Sequence, residues 1–527
     1  MELKDINSIE RATQFGRQEV LRLGISIAFI LGIVLFANLH VGDIPGHTML
    51  VIATVFGAYM AINIGANDVA NNVGPAVGSR ALTLGGAILI AAVFEAGGAL
   101  IAGGDVVSTI KKGIIDPSLI SNQETFIWLM LAALLAGAIW LNIATALGAP
   151  VSTTHSIVGA VLGAGVAAGG WDVANWERMG AIVASWVISP VCGGIIAAAF
   201  LFLIKRTITY KPDMIDAARK MVPLLVALMA WAFSTYLIVK GLKKIWKVEF
   251  FEAALIGLVI AAVIYVLIRP MIGKKANELD NDKGSINRLF TVPLIFAAAL
   301  LSFAHGANDV ANAVGPLAAI NAAINAGVSG AGIATKAAIP VWVMLVGALG
   351  IAVGLALYGP KLIRTVGSEI TELDQSRAFC IAMAAAITVI IASQLGLPVS
   401  STHIAVGAVF GVGFLREFIK SNYARMLDEI KHHHTGKDEK EVEVFLEKFD
   451  RASIPVKSDM LAELKRHAEN VPELSKAERK TLRRAYRKEL VKRSAVFKII
   501  GAWLITVPVS GALAAILYFT IRGILVP

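Results

Sequence analysis

The chain has 527 residues, of which 56% are apolar and only 16% charged, and its mean hydropathy is +0.70. A soluble domain carries about 25% charged residues, so this composition excludes an ordinary water-soluble protein. The formal charge of +10 does not indicate a nucleic-acid partner, because the Lys and Arg residues sit in loops beside apolar runs, where they mark a cytoplasmic membrane face.

Repeated apolar runs of membrane length read as helices, since lipid offers backbone N–H and C=O groups no partner. In chain order they fall at 20–40, 48–75, 83–103, 126–148, 151–169, 178–204, 222–239, 250–268, 290–316, 336–358, 378–397, 399–415 and 495–521. The first follows a long charged stretch and has no small-residue cleavage site after it, so it reads as a retained helix rather than a signal peptide. Basic clusters lie at Arg11, Arg17 and Arg22, at Lys205, Arg206, Lys211, Arg219 and Lys220, at Arg269, Lys274, Lys275, Lys283 and Arg288, and throughout 416–494. Strict alternation from a cytoplasmic amino terminus puts all four regions inside and the carboxyl terminus outside. It also puts Lys111 and Lys112, and Lys240, Lys243, Lys244 and Lys247, on the external face, against the usual bias. Cys192 and Cys380 lie in apolar runs without metal-ligand or disulfide spacing, and read as small buried residues.

The sequence therefore divides into a cytoplasmic terminus with an extra helix (1–47), a first repeat (48–222), connecting helices and a loop (223–289), a second repeat (290–415), a charged helical insertion (416–494) and a final helix (495–527). The insertion is too polar to span a membrane. Its His432-His433-His434 run has no partner ligands in view and reads as a solvated loop.

The repeat is visible in two motif pairs. Residues 65–75 read GANDVANNVGP and 306–316 read GANDVANAVGP, differing only at Asn72 and Ala313; 150–155 read PVSTTH and 398–403 read PVSSTH. Two unrelated motifs in the same order mean an internal duplication. The charge argument runs the first GAND helix inward and the second outward, so the halves are expected to be inverted, a signature of secondary transporters whose sites form where broken helices meet.

Asp68 and Asp309 are ionisable residues in apolar helices, which cost about 2.5–3.5 kcal/mol at the bilayer centre and are functional by default. Asn71 and Asn312 lie one turn away on the same faces. These carboxylate and amide oxygens form a candidate site for a coupling cation, sodium or a proton. Gly65, Gly74, Pro75 and their copies Gly306, Gly315 and Pro316 are expected to let the helices unwind there. In the second motif Pro ends one helix and Ser/Thr starts the next, giving hairpins at 126–169 and 378–415. Free N–H groups, the positive end of a helix dipole and hydroxyls converge at each tip, which suits an anion such as phosphate. The alternative is a plain helix cap. His155 and His403 either bind phosphate or carry protons, or else are buried structural donors.

Two GANDVAN signatures and two PVS(T/S)TH motifs resemble the inorganic phosphate transporter family of sodium- and proton-coupled carriers. The resemblance covers about 48–415 and the last span. It implies an all-α core of about twelve segments in two inverted repeats with helical hairpins, here with one extra amino-terminal helix. It further implies a substrate site of Asn67, Asp68, Asn308, Asp309, Ser152, Thr153, Thr154, Ser400, Ser401 and Thr402, a homodimer, and no cofactor beyond the coupling cation. The extra helix and the position of the insertion depart from many relatives. Another oxyanion, such as sulfate, is the alternative substrate.

A channel would need a continuous polar pore. An enzyme would need a G-x-S-x-G elbow, an HExxH motif or a nucleotide loop, and none is present in the sequence. The expected protein is a multi-pass transporter in lipid, in a bacterial inner membrane, that moves phosphate with at least two cations. Amide oxygens favour sodium over protons.

Overall fold

The structure is a computed structural model that describes residues 3–42, 44–147, 151–241, 248–328, 339–369, 373–432 and 494–525, with scattered positions between 442 and 460. Among the described residues there are helices and one isolated bridge, Ile115 to Ala174, but no strand. Among these residues twelve helices are long and apolar enough to cross a membrane, and the shorter Thr153–Gly169 adds a thirteenth apolar segment. Its 17 residues rise about 26 Å, slightly less than a bilayer core.

The first half contains α1 (Leu3–Val41), α2 (His47–Gly78), α3 (Leu84–Ala102), α4 (Gly104–Lys112), α5 (Gln123–Ala146), α6 (Thr153–Gly169) and α7 (Trp176–Ile204). Then come α8 (Met214–Gly241), α9 (Phe250–Asn277), α10 (Lys283–Leu289), α11 (Thr291–Val328), α12 (Val341–Glu369), α13 (Gln375–Gln394), α14 (Ser401–His432) and α15 (Ser494–Leu525). The most apolar stretches of α11 and α13 are each 89% buried and form the centre, whereas that of α1 is 11% buried and lies at the rim. Ser26 on α1 reaches Tyr358 on α12 through a 3.0 Å hydroxyl contact.

The helix breaks fall at the serine motifs, between α5 and α6 and between α13 and α14, where the sequence places them. The expected unwinding of the GAND helices does not occur. Both α2 and α11 run through their motifs unbroken, with Pro75 and Pro316 inside the helix. The glycines serve close packing instead. A Cβ at Gly65 would collide with the Ile351 carbonyl of α12, and one at Gly306 with the Glu95 carbonyl of α3.

These contacts recur with the halves exchanged. Gly98 of α3 lies against the Phe303 carbonyl of α11, and Gly354 of α12 against the Ile62 carbonyl of α2. Likewise Gly163 of α6 meets Gly511 of α15, while Gly411 of α14 meets Gly194 of α7. Each half thus completes the other.

Two further differences concern the charged regions. Helix α14 extends to His432, so the start of the 416–494 segment continues a core helix, and Arg416 is buried within the fold. The remainder of that segment, with His433 and His434, lies largely outside the described residues, as do Lys243, Lys244 and Lys247. The short amphipathic α4 was not anticipated; it carries Lys111, which is buried.

Candidate functional site

Asp68 sits in the middle of α2 and Asp309 in the middle of α11, both with no exposed surface. The serine motifs bring two helix starts to them. Ser152 accepts the His155 backbone N–H at 3.1 Å, and Ser400 accepts the His403 backbone N–H at 3.2 Å. These two serines therefore act as N-caps, which leaves the next two hydroxyls of each motif free to point elsewhere.

Those hydroxyls meet the carboxylates in a crossed pattern. Thr153 donates to Asp68 Oδ2 at 2.9 Å and Thr402 to Asp68 Oδ1 at 3.0 Å. Thr154 donates to Asp309 Oδ1 at 3.1 Å and Ser401 to Asp309 Oδ2 at 2.9 Å. Each carboxylate is held by one hydroxyl from each hairpin. The tips also touch directly, because the single Thr154 hydroxyl proton is shared between Asp309 Oδ1 and the Val399 carbonyl, the latter at 2.9 Å.

The amides follow the same exchange. Asn71 donates to Thr402 at 2.9 Å, and Asn312 donates to Thr154 at 3.1 Å and to Asp309 at 2.9 Å. Asn67 donates to Thr145 at 2.9 Å, and its copy Asn308 donates to Ser393 at 3.0 Å. The side-chain oxygens of Asn67, Asn308 and Asn312 are buried and accept no hydrogen bond. Such acceptors are costly to leave unpaired, and neutral oxygens beside carboxylates are the donor set a hard monovalent cation needs.

His155 and His403 stand in an aromatic stack. His155 packs on Trp186 with centroids 3.8 Å apart and edge-on to His403 at 4.4 Å; His403 in turn stacks on Trp503 at 3.5 Å. The four ring nitrogens are buried without a hydrogen-bond partner among the described residues, so the two rings are held by stacking and not as donors.

The sequence reading missed two participants, His305 and Glu95. His305 Nε2 lies 2.9 Å from Asp309 Oδ2 and 3.6 Å from Asp68 Oδ2, bridging the two acids. Its other nitrogen is 3.2 Å from Glu95 Oε2, and Asn72 donates to Glu95 Oε1 at 2.8 Å. Asp68, His305 and Asp309 each offer a ligand atom within 4.8 Å of the others, and all three are buried. A signal was present in the sequence. The copies differ at Asn72 against Ala313 and, one residue before the motif, at Ile64 against His305. Both differences lead to the same polar cluster.

Two buried acids gripped by paired hairpin hydroxyls, inside a bundle of membrane-length helices, define a multi-pass integral membrane transport protein. The sequence profile of the phosphate transporter family matches residues 64–514. A Helicobacter pylori (strain J99 / ATCC 700824) protein named "Putative phosphate permease" is 55% identical over 524 residues, 98% of each chain. A Pyrococcus abyssi protein, "Putative phosphate permease PYRAB14010", is 41% identical over 367 residues, 70% of this chain and 89% of that one. The solved structure titled "The sodium-dependent phosphate transporter" superposes with a TM-score of 0.72 at 32% identity, covering 91% of this chain and 100% of that one. The chain belongs to the phosphate transporter family, a family of permeases and not of enzymes.

Proposed function

We propose that this protein is a secondary transporter that moves inorganic phosphate together with coupling cations, sodium in preference to protons, by alternating access. The observation that carries the proposal is the crossed hydroxyl grip on Asp68 and Asp309. Three buried acids, Asp68, Asp309 and Glu95, face one imidazole. Even with His305 protonated the ionised cluster is negative, and two unit charges 4 Å apart interact by about 4 kcal/mol at an effective dielectric of 20. Phosphate cannot approach such a cluster until cations have neutralised it, so cations enter first.

Asp68, Asn71, Asp309 and Asn312 would hold them, with the unspent oxygens of Asn67, Asn308 and Asn312 replacing water. A cation drawn to a carboxylate competes with the hydroxyl protons now aimed at it. Thr153, Thr154, Ser401 and Thr402 are then released to donate to phosphate oxygens, beside the positive ends of α6 and α14. Ser152 and Ser400 keep those helix ends in register. The exchanged contacts of the halves support an inverted pair that rocks about this shared site.

Charge sets the stoichiometry. Phosphate entry into a negative interior is opposed by about 2.3 kcal/mol per charge per 100 mV. One monovalent cation only neutralises a monoanion and gains nothing from the membrane potential, so drive by the potential requires at least two. Labelled phosphate uptake into proteoliposomes, with sodium and proton gradients imposed separately and sulfate as competitor, tests the reading. Uptake driven by pH alone overturns the choice of sodium. Stronger uptake of sulfate than of phosphate overturns the substrate.

A further inference from the structure

Away from the carboxylates, a cavity of about 630 Å³ opens where the ends of α4, α7 and α8 meet the tip of the second hairpin. Among the described residues its charged lining consists of Asp105, Arg178 and Lys240, a net of one positive charge. Lys240 pairs with Asp105, and Arg178 donates to Thr109 at 3.4 Å. Thr109 in turn donates to the Gly396 carbonyl at 2.7 Å, fixing the tip where Gly396 takes a left-handed φ of 65°. Gln394 forms part of the same wall. The residue before it, Ser393, accepts from Asn308, which precedes Asp309 in the chain. The cavity is thus linked to the carboxylate site through Ser393 and Asn308.

The corresponding recess at the first hairpin tip is lined by Thr145 and Ala146, and among the described residues its charged lining is the ion pair of Glu19 and Arg22, which adds no net charge. With the amino terminus in the cytoplasm, alternation puts Lys240, at the end of α8, on the external face, where lysine is disfavoured.

We propose that this recess is an external phosphate-collecting site, in which Lys240 and Arg178 hold an incoming oxyanion before it passes the second hairpin tip. The proposal rests on the transport reading above. A cleft lined by one sign of charge focuses the field and raises the local concentration of its counter-ion. Asp105 would temper the hold, so that the anion can leave again.

The test uses the full chain in intact cells, with phosphate uptake measured at fixed sodium and varied ionic strength. Lys240→Gln and Asp105→Asn break the same ion pair but change the charge in opposite directions. The expected result at low ionic strength is a KM raised about three- to tenfold in Lys240→Gln and Arg178→Gln, and lowered about threefold in Asp105→Asn. Lys240→Arg restores the KM toward that of the parent. The differences shrink as added salt shortens the screening length to well below about 10 Å. Equal shifts in the same direction for Lys240→Gln and Asp105→Asn would mean a structural bridge and would overturn the proposal, as would no shift in either. A KM effect confined to inside-out vesicles would overturn it too. If the parent chain shows no saturable phosphate uptake, the transport reading itself fails, a distinct outcome.

Discussion

Replacing Asp68 with Asn removes one charge and almost no volume from the centre of the molecule. The carboxylate now accepts from Thr153 at 2.9 Å and Thr402 at 3.0 Å, with His305 3.6 Å away. Asn offers one acceptor oxygen, so at most one of these hydroxyls keeps a well-placed bond without rotating. Hydrogen bonds to charged groups contribute about 1.5–3 kcal/mol each, yet removing one of several crowded acids offsets much of that loss. The apo protein should therefore fold with a thermal midpoint close to the parent's. The larger effect falls on the cation. At 4 Å and an effective dielectric of 20, losing its partner charge costs about 4 kcal/mol, on the order of a thousandfold in affinity. Cation-driven phosphate uptake should be abolished at ordinary sodium concentrations. The assay pairs uptake in proteoliposomes with thermal unfolding in detergent, with and without sodium. A ligand that binds only the folded state raises the midpoint, so the parent should shift with sodium and Asp68→Asn should not. A variant that retains the sodium-dependent shift and normal coupled uptake would refute the assignment of Asp68.

Other expectations concern packing, stoichiometry and the insertion. Gly306→Ala drives a Cβ into the Glu95 main chain, and overpacking of this kind costs about 1–3 kcal/mol; a lowered thermal midpoint is expected, and an unchanged one would mean that α3 and α11 part easily. Uptake against external sodium at fixed pH should show a Hill slope above one, and direct flux counting that gives one sodium per phosphate would remove the two-cation argument. Deleting 433–493 behind a short Gly/Ser bridge leaves α14 and α15 whole and should preserve phosphate binding by equilibrium dialysis; loss of binding in a folded deletion would make that segment part of the core.

The sequence discloses much of this fold because lipid is a demanding solvent. A run apolar enough to span must be helical, so most segments are legible from hydropathy alone. The hairpin breaks are legible for a similar reason: Pro398 followed by Ser400 leaves the chain few local options. The behaviour of Gly65 and Gly306 was not legible. A glycine that permits unwinding and one that permits close approach are the same letter, and only the neighbouring backbone of α12 or α3 distinguishes them. The pairing of Asp68 with Thr402 lies beyond periodicity as well, because it joins residues 334 positions apart. His305 is the instructive omission. Attention to what the two copies share draws the eye from where they differ, and the polar cluster is built from those differences, Asn72 and His305, together with Glu95.

The exchanged packing of the halves also bears on how the chain is made. Helix α6 presents Gly159 and Gly163 to α15, whose Ser510 and Gly511 fill that face. The ribosome reaches those partners roughly 350 residues after α6, on the order of half a minute at 5–20 residues per second. Throughout that interval the first hairpin waits in the membrane with its glycine face open. Its tip cannot be locked against the second hairpin, which is itself not yet made. The two halves therefore close on each other at the end of synthesis rather than one by one, and a chain that stops short of α15 leaves the glycine face of α6 uncovered.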